Sequence, residues 1–339
     1  MKRTRFSPYA ILMLLVLVVI FLMGIVKLWR LNTDFTKQTG LNLLTVGKLI
    51  VDGGASLKST DDRVNILLLG MAGGMHEGPD LTDTIIVASF HLKNRSIALI
   101  TVPRDIWSET LKDKVNSAYH YGEAKKRGGG MTLSRAIIED ITGLPIHYIV
   151  TLDFTQFETI IDVLGGIDVM VTQSFTDTEY PIAGRENDLC DGDNTFPCRY
   201  ETIHFDAGTQ HMNGSTALKY VRSRHSEGDE GTDFARGKRQ QDVMVALKEK
   251  IFQSKLWFHP SLAIKLLKTA EDATDTDMTV GEQLTIGKAA VQTKPDSFKK
   301  ISIESFLIVP PTWMYGRYVL VPEKDYDTIH TYVQSELGK

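Results

Sequence analysis

From Tyr9 to Val26 the chain runs eighteen residues without a charge, rich in Leu, Val and Ile. A stretch of that length at the helical rise spans the hydrocarbon core of a bilayer, whereas a core helix of a globular fold keeps one polar face. Lys2, Arg3 and Arg5 stand before it, so the positive-inside bias holds the N-terminus in the cytoplasm and sends everything after Trp29 outward. A cleaved signal peptide would have a shorter apolar core and a small-residue cleavage site. Here the run ends in Lys27-Leu28-Trp29-Arg30. The expectation is an uncleaved, single-pass anchor over residues 9–29 behind a cytoplasmic tail of residues 1–8, with the bulk of the protein on the outer face of the cytoplasmic membrane.

That location governs how the rest is read. Cys190 and Cys198 are the only cysteines in 339 residues, and outside the membrane a close pair points to a disulfide rather than a metal site. The short loop it closes would stabilise by roughly 2–3 kcal/mol on the chain-entropy model, which shapes a loop without holding a domain together. A formal net charge of −4 offers no footprint for a nucleic acid. The eight residues ahead of the apolar run are too few for a cytoplasmic signalling domain.

Residues 30–61 mix polar and apolar positions and read as a stalk. Val64 to Leu69 follows as a buried strand and Gly70 to Gly74 as its loop. Thr84 to Phe90 and Ser96 to Val102 are β-rich runs joined by a short polar connection, so they should pair antiparallel. Thr132 is placed to cap a helix running to about Thr142, with Gly143 as its stop. Tyr148 to Leu152 reads as a strand, Thr155-Gln156-Phe157-Glu158 has capping-box spacing, and Ile167 to Val171 restores a strand. Tyr148 to Val171 is thus a strand-helix-strand unit of the kind that builds a sheet with helices on its faces, and the class is α/β. Phe175 to Glu201 is an acidic, irregular excursion of a length that suits a lid or decorated surface loop. Asp233 is placed to cap a long helix from Phe234 to about Phe252. A helix near Thr279 to Val291, strands at Ile301 to Val309 and Tyr318 to Val321, and a final helix complete the chain.

Two groups of residues carry chemistry. Asp83 precedes the first hairpin strand while Arg104 and Asp105 follow the second, so antiparallel pairing brings them to one edge of the sheet. Two carboxylates and a guanidinium suit a divalent cation with an anionic ligand; they also suit a plain salt bridge closing the hairpin. The second group is denser: Arg222, Arg224, His225, Arg236, Lys238 and Arg239 fall within eighteen residues. Strand alternation would put Arg222 and Arg224 on one face, and Arg236 and Gln240, four apart near a helix N-terminus, project together where an anion is favoured. A solvated basic face favours Lys, and this group favours Arg. Anion recognition, most simply of a pyrophosphate, is the expectation. Lys114 and Asn116 alone read as ordinary loop residues.

Thr82-Asp83-Thr84, Pro103-Arg104-Asp105, Lys114-Val115-Asn116-Ser117-Ala118-Tyr119, Leu164-Gly165-Gly166-Ile167-Asp168-Val169, Met212-Asn213-Gly214, Tyr220-Val221-Arg222-Ser223-Arg224 and Arg236-Gly237-Lys238-Arg239-Gln240-Gln241, together with Asn65 to Gly70, resemble the successive signatures of the LytR-CpsA-Psr family in order and spacing. The resemblance covers about Asp62 to Phe252. It implies a three-layer α/β/α domain with a mixed central sheet over residues 62–254, followed by an α/β extension over 255–339, and an apolar groove for a prenyl chain. It also implies a Mg²⁺-dependent phosphotransferase that moves a glycopolymer from a polyprenyl-pyrophosphate carrier to a cell-wall acceptor, peptidoglycan being the usual one. Residue by residue, Asp83 resembles the metal-binding Asp, Arg104, Arg222, Arg224 and Arg236 the pyrophosphate-binding arginines, and Gln240 the glutamine beside them. Lys114 joins the substrate-binding set by the same resemblance. Asp105 would orient Arg104 or accept the acceptor hydroxyl's proton.

One departure matters. Many members carry an Asp where this chain has Ala72, so a metal ligand is missing, and His76, Glu77 or Asp80 is the candidate to replace it. Two other readings use the same residues: a polyprenyl-pyrophosphate hydrolase, with water as nucleophile, and a non-catalytic binder of lipid-linked or anionic glycans.

Overall fold

The computed structural model describes residues 55–72, 80–185, 187–253, 274–293 and 297–338, with a few isolated positions besides. The tail, the anchor over 9–29 and most of the stalk lie outside the described residues, as do His76 and Glu77. Among the described residues no helix is long and apolar enough to cross a membrane. The chain divides into two units, Met1–Gly54 and Ala55–Lys339; the sheet and its covering helices belong to the second.

Strand Arg63–Met71 sits inside a six-stranded sheet because apolar residues occupy both of its faces. Leu67 and Leu69 point into one core with Ile85, Val87, Ala98 and Ile100, while Ile66 faces a second with Tyr148. A strand buried on both sides reads as a continuous apolar run, which is how Ile66-Leu67-Leu68-Leu69 reads. It pairs antiparallel with Thr82–His91 and parallel with Tyr148–Asp153. Ser96–Thr101 pairs antiparallel with Thr82–His91, the hairpin expected from the alternation. The edges come from the C-terminal part: Thr274–Thr276 lies antiparallel on Tyr148–Asp153, and Phe298–Ser302 parallel on Ser96–Thr101. The sheet is mixed. Ile137, Ile138 and Ile141 of helix Gly129–Thr142 and Ile329 and Val333 of helix Tyr326–Glu336 cover one face. Met244 and Ala290, from helices Asp233–Gln253 and Val280–Gln292, pack on the other.

Several local expectations give way to specific contacts. Strand Ile167–Val171 does not rejoin the central sheet; it pairs antiparallel with Gly208–Met212. Its burial alternates, with Ile167, Val169 and Val171 inside and Asp168 and Met170 outside, so it lacks the second apolar face that a central position requires. The preceding helix, Phe154–Val163, is capped by Asp153 rather than Thr155: Asp153 accepts from the Gln156 N–H at 2.8 Å and Gln156 reciprocates. Helix Gly129–Thr142 starts before Thr132, because the Glu123 carboxylate accepts from the N–H groups of Gly128 and Gly130 and serves as cap from a distance. The stretch expected as one strand from Ile301 to Val309 breaks into Phe298–Ser302 and a two-residue strand Leu307–Ile308, which pairs with Val321–Pro322.

The acidic excursion is more regular than expected. Phe175–Pro181 and Tyr200–Phe205 form an antiparallel ribbon, and Phe175, Asp177, Tyr180, Ile203 and Phe205 are buried. The ribbon's register shifts between Asp177 and Tyr180, and its tip is irregular. There Cys190 and Cys198 are joined by a disulfide with Cα atoms 5.6 Å apart.

Candidate active site

The hairpin supplies one wall. Its register places Ile86 opposite Thr101, and Val102 N–H donates to Ile85 O at 2.9 Å, so Asp83 and Arg104 arrive side by side and form an ion pair. Asp105 Oδ2 lies 3.4 Å from the Arg104 Nε, and Asp105 Oδ1 accepts from Lys114 Nζ at 2.5 Å. Lys114 is held by the strand pairing of Trp107 with Lys114, and Asn116 is buried, its carbonyl accepting from Thr82 Oγ1 at 3.2 Å. Both residues are therefore fixed behind this wall rather than loose loop positions, and neither is among the residues that line the cavity. Burial alone would lower the Arg104 pKa, but Asp83 and Asp105 outweigh it and hold the cation above its ordinary value. Burial raises Asp105, yet Lys114, Arg104 and Asp233 more than compensate, and the carboxyl lies below the usual range.

The second wall corrects the strand reading of Arg222 and Arg224. Asn213 caps a helix, Gly214–Arg222, by accepting from the Thr216 N–H at 2.8 Å. Arg222 ends this helix, where the carbonyl end of the macrodipole favours a cation, and its guanidinium lies 4.4 Å from the centre of the Phe154 ring. Ser223 leaves the helix in an extended conformation and Arg224 follows in the turn. Side-chain direction here is set by a helix end, not by a two-residue period. The turn is organised by Asp177, fully buried, which accepts from Ser223 Oγ at 2.7 Å and from the backbone N–H groups of Arg224 and His225 at 2.9 and 3.2 Å.

The third wall is the start of helix Asp233–Gln253. Thr232, not Asp233, caps it, its Oγ1 accepting from the Ala235 N–H. Asp233 is thereby released to bridge two guanidinium groups, Arg224 and Arg236, each at 3.1 Å. The motif Arg236 to Gln241 divides by helical angle. Gly237 packs so closely on the sheet that a Cβ there would meet Thr101 Cγ2 at 2.8 Å, and Gln241 Nε2 donates to Leu99 O and Thr101 Oγ1. Arg236 and Gln240 face the site. Arg239 does not: it is buried against the Phe175 ring and donates to the carbonyls of Tyr220 and Ser223 and to the Glu230 carboxylate. Lys238 is exposed.

Together the walls enclose a cavity of about 130 Å³ lined by Asp83, Arg104, Arg222, Arg224, Arg236 and Gln240, with Phe154 and Tyr180 on its apolar flank. Four guanidinium groups and a single carboxylate line it, with His225 at the lining as well. Arg236 is the least compensated: burial, reinforced by Arg104 and Arg224 and only partly offset by Asp233, pushes its pKa down to about 10, so it stays charged at neutral pH and gains from any anion that enters. The buried Nε–H of Arg104 has no hydrogen-bond partner among the described residues. Asp177 and Asp233, which hold the arginines, carried no mark in the sequence, since one lies in the acidic excursion and the other looked like a helix cap.

The fit for a divalent cation is narrow. Asp83 stands at the cavity, and Ala72 supplies no ligand. Asp80 Oδ2 is 3.6 Å from a His120 ring nitrogen, with Asp80 itself half-exposed. Among the described residues three potential ligand atoms converge only at Asp188, Cys190 and Cys198, where both sulfurs are in the disulfide. One carboxylate beside an anion cavity fits Mg²⁺ that arrives with substrate oxygens and water, a common mode for this ion.

A sequence profile of the LytR_cpsA_psr family matches residues 37–334. The chain belongs to the LytR-CpsA-Psr family. Among curated members, the polyisoprenyl-teichoic acid–peptidoglycan teichoic acid transferase TagU of Bacillus cereus is 30% identical over 197 residues, covering 57% of this chain and 54% of TagU. TagV of Bacillus subtilis is 28% identical over 212 residues, 62% of this chain and 48% of TagV. The chain spans about half the length of these family relatives. The crystal structure of B. subtilis TagV superposes with a TM-score of 0.59 at 23% identity, covering 83% of this chain and 99% of that one. The solved structure of the family protein YwtF (TagT) with bound octaprenyl pyrophosphate lipid superposes with a TM-score of 0.53 at 20% identity, covering 84% of this chain and 95% of that one. The shared feature is the fold, a mixed central sheet with helices.

Proposed function

We propose that this family member transfers a glycopolymer from a polyprenyl-pyrophosphate carrier to a cell-wall acceptor such as peptidoglycan, forming a phosphodiester, from a domain tethered to the outer face of the cytoplasmic membrane by residues 9–29. The observation that carries the reading is the cavity in which Arg104, Arg222, Arg224 and Arg236 crowd together beside the rings of Phe154 and Tyr180. Like charges held this close lower the free energy of a bound diphosphate, and guanidinium groups match phosphate oxygens in pairs. The apolar flank suits the first carbons of a prenyl chain.

On this reading the chemistry is an in-line displacement. The acceptor hydroxyl oxygen bonds to the phosphorus that carries the glycopolymer, the bridging P–O bond breaks, and prenyl phosphate leaves with the electron pair. Arg222, Arg224 and Arg236 neutralise charge growing on the leaving oxygens, which is where fixed donors in a low-dielectric site contribute most. Asp105, behind Arg104 and bonded to Lys114, would orient Arg104 toward the diphosphate or take up the hydroxyl proton. Mg²⁺, held by Asp83 and substrate oxygens, would supply further charge neutralisation.

The test is reconstitution of the full chain with a prenyl-pyrophosphate-linked oligosaccharide, Mg²⁺ and glycan acceptor, with products identified by mass spectrometry. The expected products are prenyl phosphate and a phosphodiester-linked conjugate. Prenyl phosphate with free sugar phosphate alone would replace transfer by hydrolysis, and binding without turnover would leave only a glycolipid binder.

A further inference from the structure

The end of the central sheet away from the diphosphate cavity carries a second group of basic side chains. Asp83 and His91 stand at opposite ends of strand Thr82–His91, about 25 Å apart at the strand rise. At the His91 end the register sets Arg63, His91 and Ser96 in one row across three strands, with Lys299 opposite Ala98 on a fourth. Alternation puts all four on the face that Leu67, Val87, Ile100 and Ile301 share. With Glu336 and Leu337, at the end of helix Tyr326–Glu336, they line a cavity of about 440 Å³.

Charge at this end does not balance. Arg63 is only 7% exposed, and among the described residues its guanidinium donates to two neutral acceptors, Ser89 Oγ at 3.3 Å and Leu337 O. Two nearby acids are paired with other cations, Glu336 with Lys299 at 2.7 Å and Asp62 with Lys93 at 2.6 Å. A helix C-terminus carries roughly half a negative charge, so Leu337 O offsets part of the Arg63 charge and leaves the rest. Burial with no acid against it pulls the Arg63 pKa below its ordinary value, and burial followed by Arg63 lowers His91. A buried cation without a counter-ion is costly, and this one opens on a cavity with room for an anion.

We infer that this cavity is a second anion site, which takes a phosphate group, free or as a phosphomonoester. Two of the five Arg63 N–H groups are used on Ser89 and Leu337, which leaves a pair for phosphate oxygens. Lys299 and Ser96 add donors from two further strands. A tetrahedral oxyanion turns oxygens toward three strands at once, whereas a planar carboxylate offers only two oxygens. No residue of this site lines the diphosphate cavity, so its occupancy is independent of the transfer chemistry.

The experiment uses the full chain in detergent micelles and follows amide hydrogen exchange at residues 91–98 and 336–338. The titrants are inorganic phosphate, glycerol phosphate, and sodium chloride at matched ionic strength. Phosphate should protect these amides and chloride should not. Tighter protection by glycerol phosphate assigns a phosphomonoester; tighter or equal protection by inorganic phosphate assigns the free ion. Arg63→Met should raise the half-saturating concentration about thirtyfold, the loss of one charge-assisted contact, and Lys299→Met about threefold. Arg236→Leu, in the diphosphate cavity, should leave it unchanged. Equal protection by chloride, no protection by either phosphate, or a half-saturation unmoved in Arg63→Met overturns the inference and leaves Arg63 as a clamp on the helix end. Should Arg63→Met fail to fold, Lys299→Met, altered at a half-exposed side chain, decides in its place, and an unmoved value there overturns the site equally.

Discussion

The carboxylate of Asp177 accepts the backbone N–H of Arg224 at 2.9 Å, across 47 residues of chain. Through this contact, and those to Ser223 and His225, a buried acid on the ribbon Phe175–Pro181 sets the path of the segment that carries Arg224 to the cavity. The geometry of the anion site therefore depends on a residue that does not touch it.

Asp177→Ala should lower global stability by about 3 kcal/mol, since several buried donors lose their acceptor together, and should weaken binding of a diphosphate analogue as well. Asp177→Asn retains part of the acceptor capacity and should fall between. Denaturant titration paired with calorimetry checks both effects.

Asp177 also has a pH signature. Burial raises its pKa, but the bonds from Ser223, Arg224, His225 and Glu179 outweigh burial and hold it below the ordinary carboxylate value. A depressed folded-state pKa contributes stability that is present above the unfolded value, about 3.9, and is lost as pH falls through the folded value. Acid unfolding of Asp177→Asn should thus show a shallower loss over that window than the unmodified protein. Equal slopes for the two would remove Asp177 from the acid transition.

Arg236→Leu should separate stability from function. Its guanidinium is buried and its cation is disfavoured by burial and by Arg104 and Arg224, so the shorter apolar side chain, which removes the buried charge, should leave the melting temperature unchanged or raise it. Asp233 keeps Arg224 as a partner. Diphosphate affinity should nevertheless drop by about a hundredfold, the loss of one strong charge-assisted contact.

Asp83 carries the metal prediction. With Ala72 offering no ligand, Mg²⁺ should bind the free protein weakly, and Mg²⁺ and a prenyl-pyrophosphate analogue should each tighten the other by the same factor. Asp83→Ala should abolish that mutual effect while preserving the arginine-driven part of analogue binding. Calorimetric titration with Mg²⁺ and with EDTA measures it; equal affinities in the two conditions would reduce Asp83 to the partner of Arg104 in a hairpin-closing ion pair.

The residue order alone determined the elements whose cause is local. The hairpin of Thr82–His91 with Ser96–Thr101 is written in apolar runs and a short polar connection, and it brings Asp83 to Arg104 by register, without help from distant chain. The i, i+4 spacing of Arg236 and Gln240 likewise needs only a helix. What lay beyond reach was decided by contacts between segments far apart. Arg222 and Arg224 read as strand residues from their alternation, although the cap Asn213 stands in the sequence just before the helix that carries Arg222; what the order could not show is the packing of that helix's apolar face on distant partners, which decides for helix over strand. The motif arginines could not be sorted either, since Arg239 differs from Arg236 only in facing Phe175, Tyr220 and Glu230 rather than the cavity. Strand Ile167–Val171 left the central sheet because its alternate residues are polar or exposed, and the edge places went to Thr274–Thr276 and Phe298–Ser302, more than a hundred residues downstream. Periodicity and capping act within a few residues and are legible in order. Which buried carboxylate meets which guanidinium is a property of packing, where desolvation makes each unpaired charge costly and so selects one arrangement of the whole.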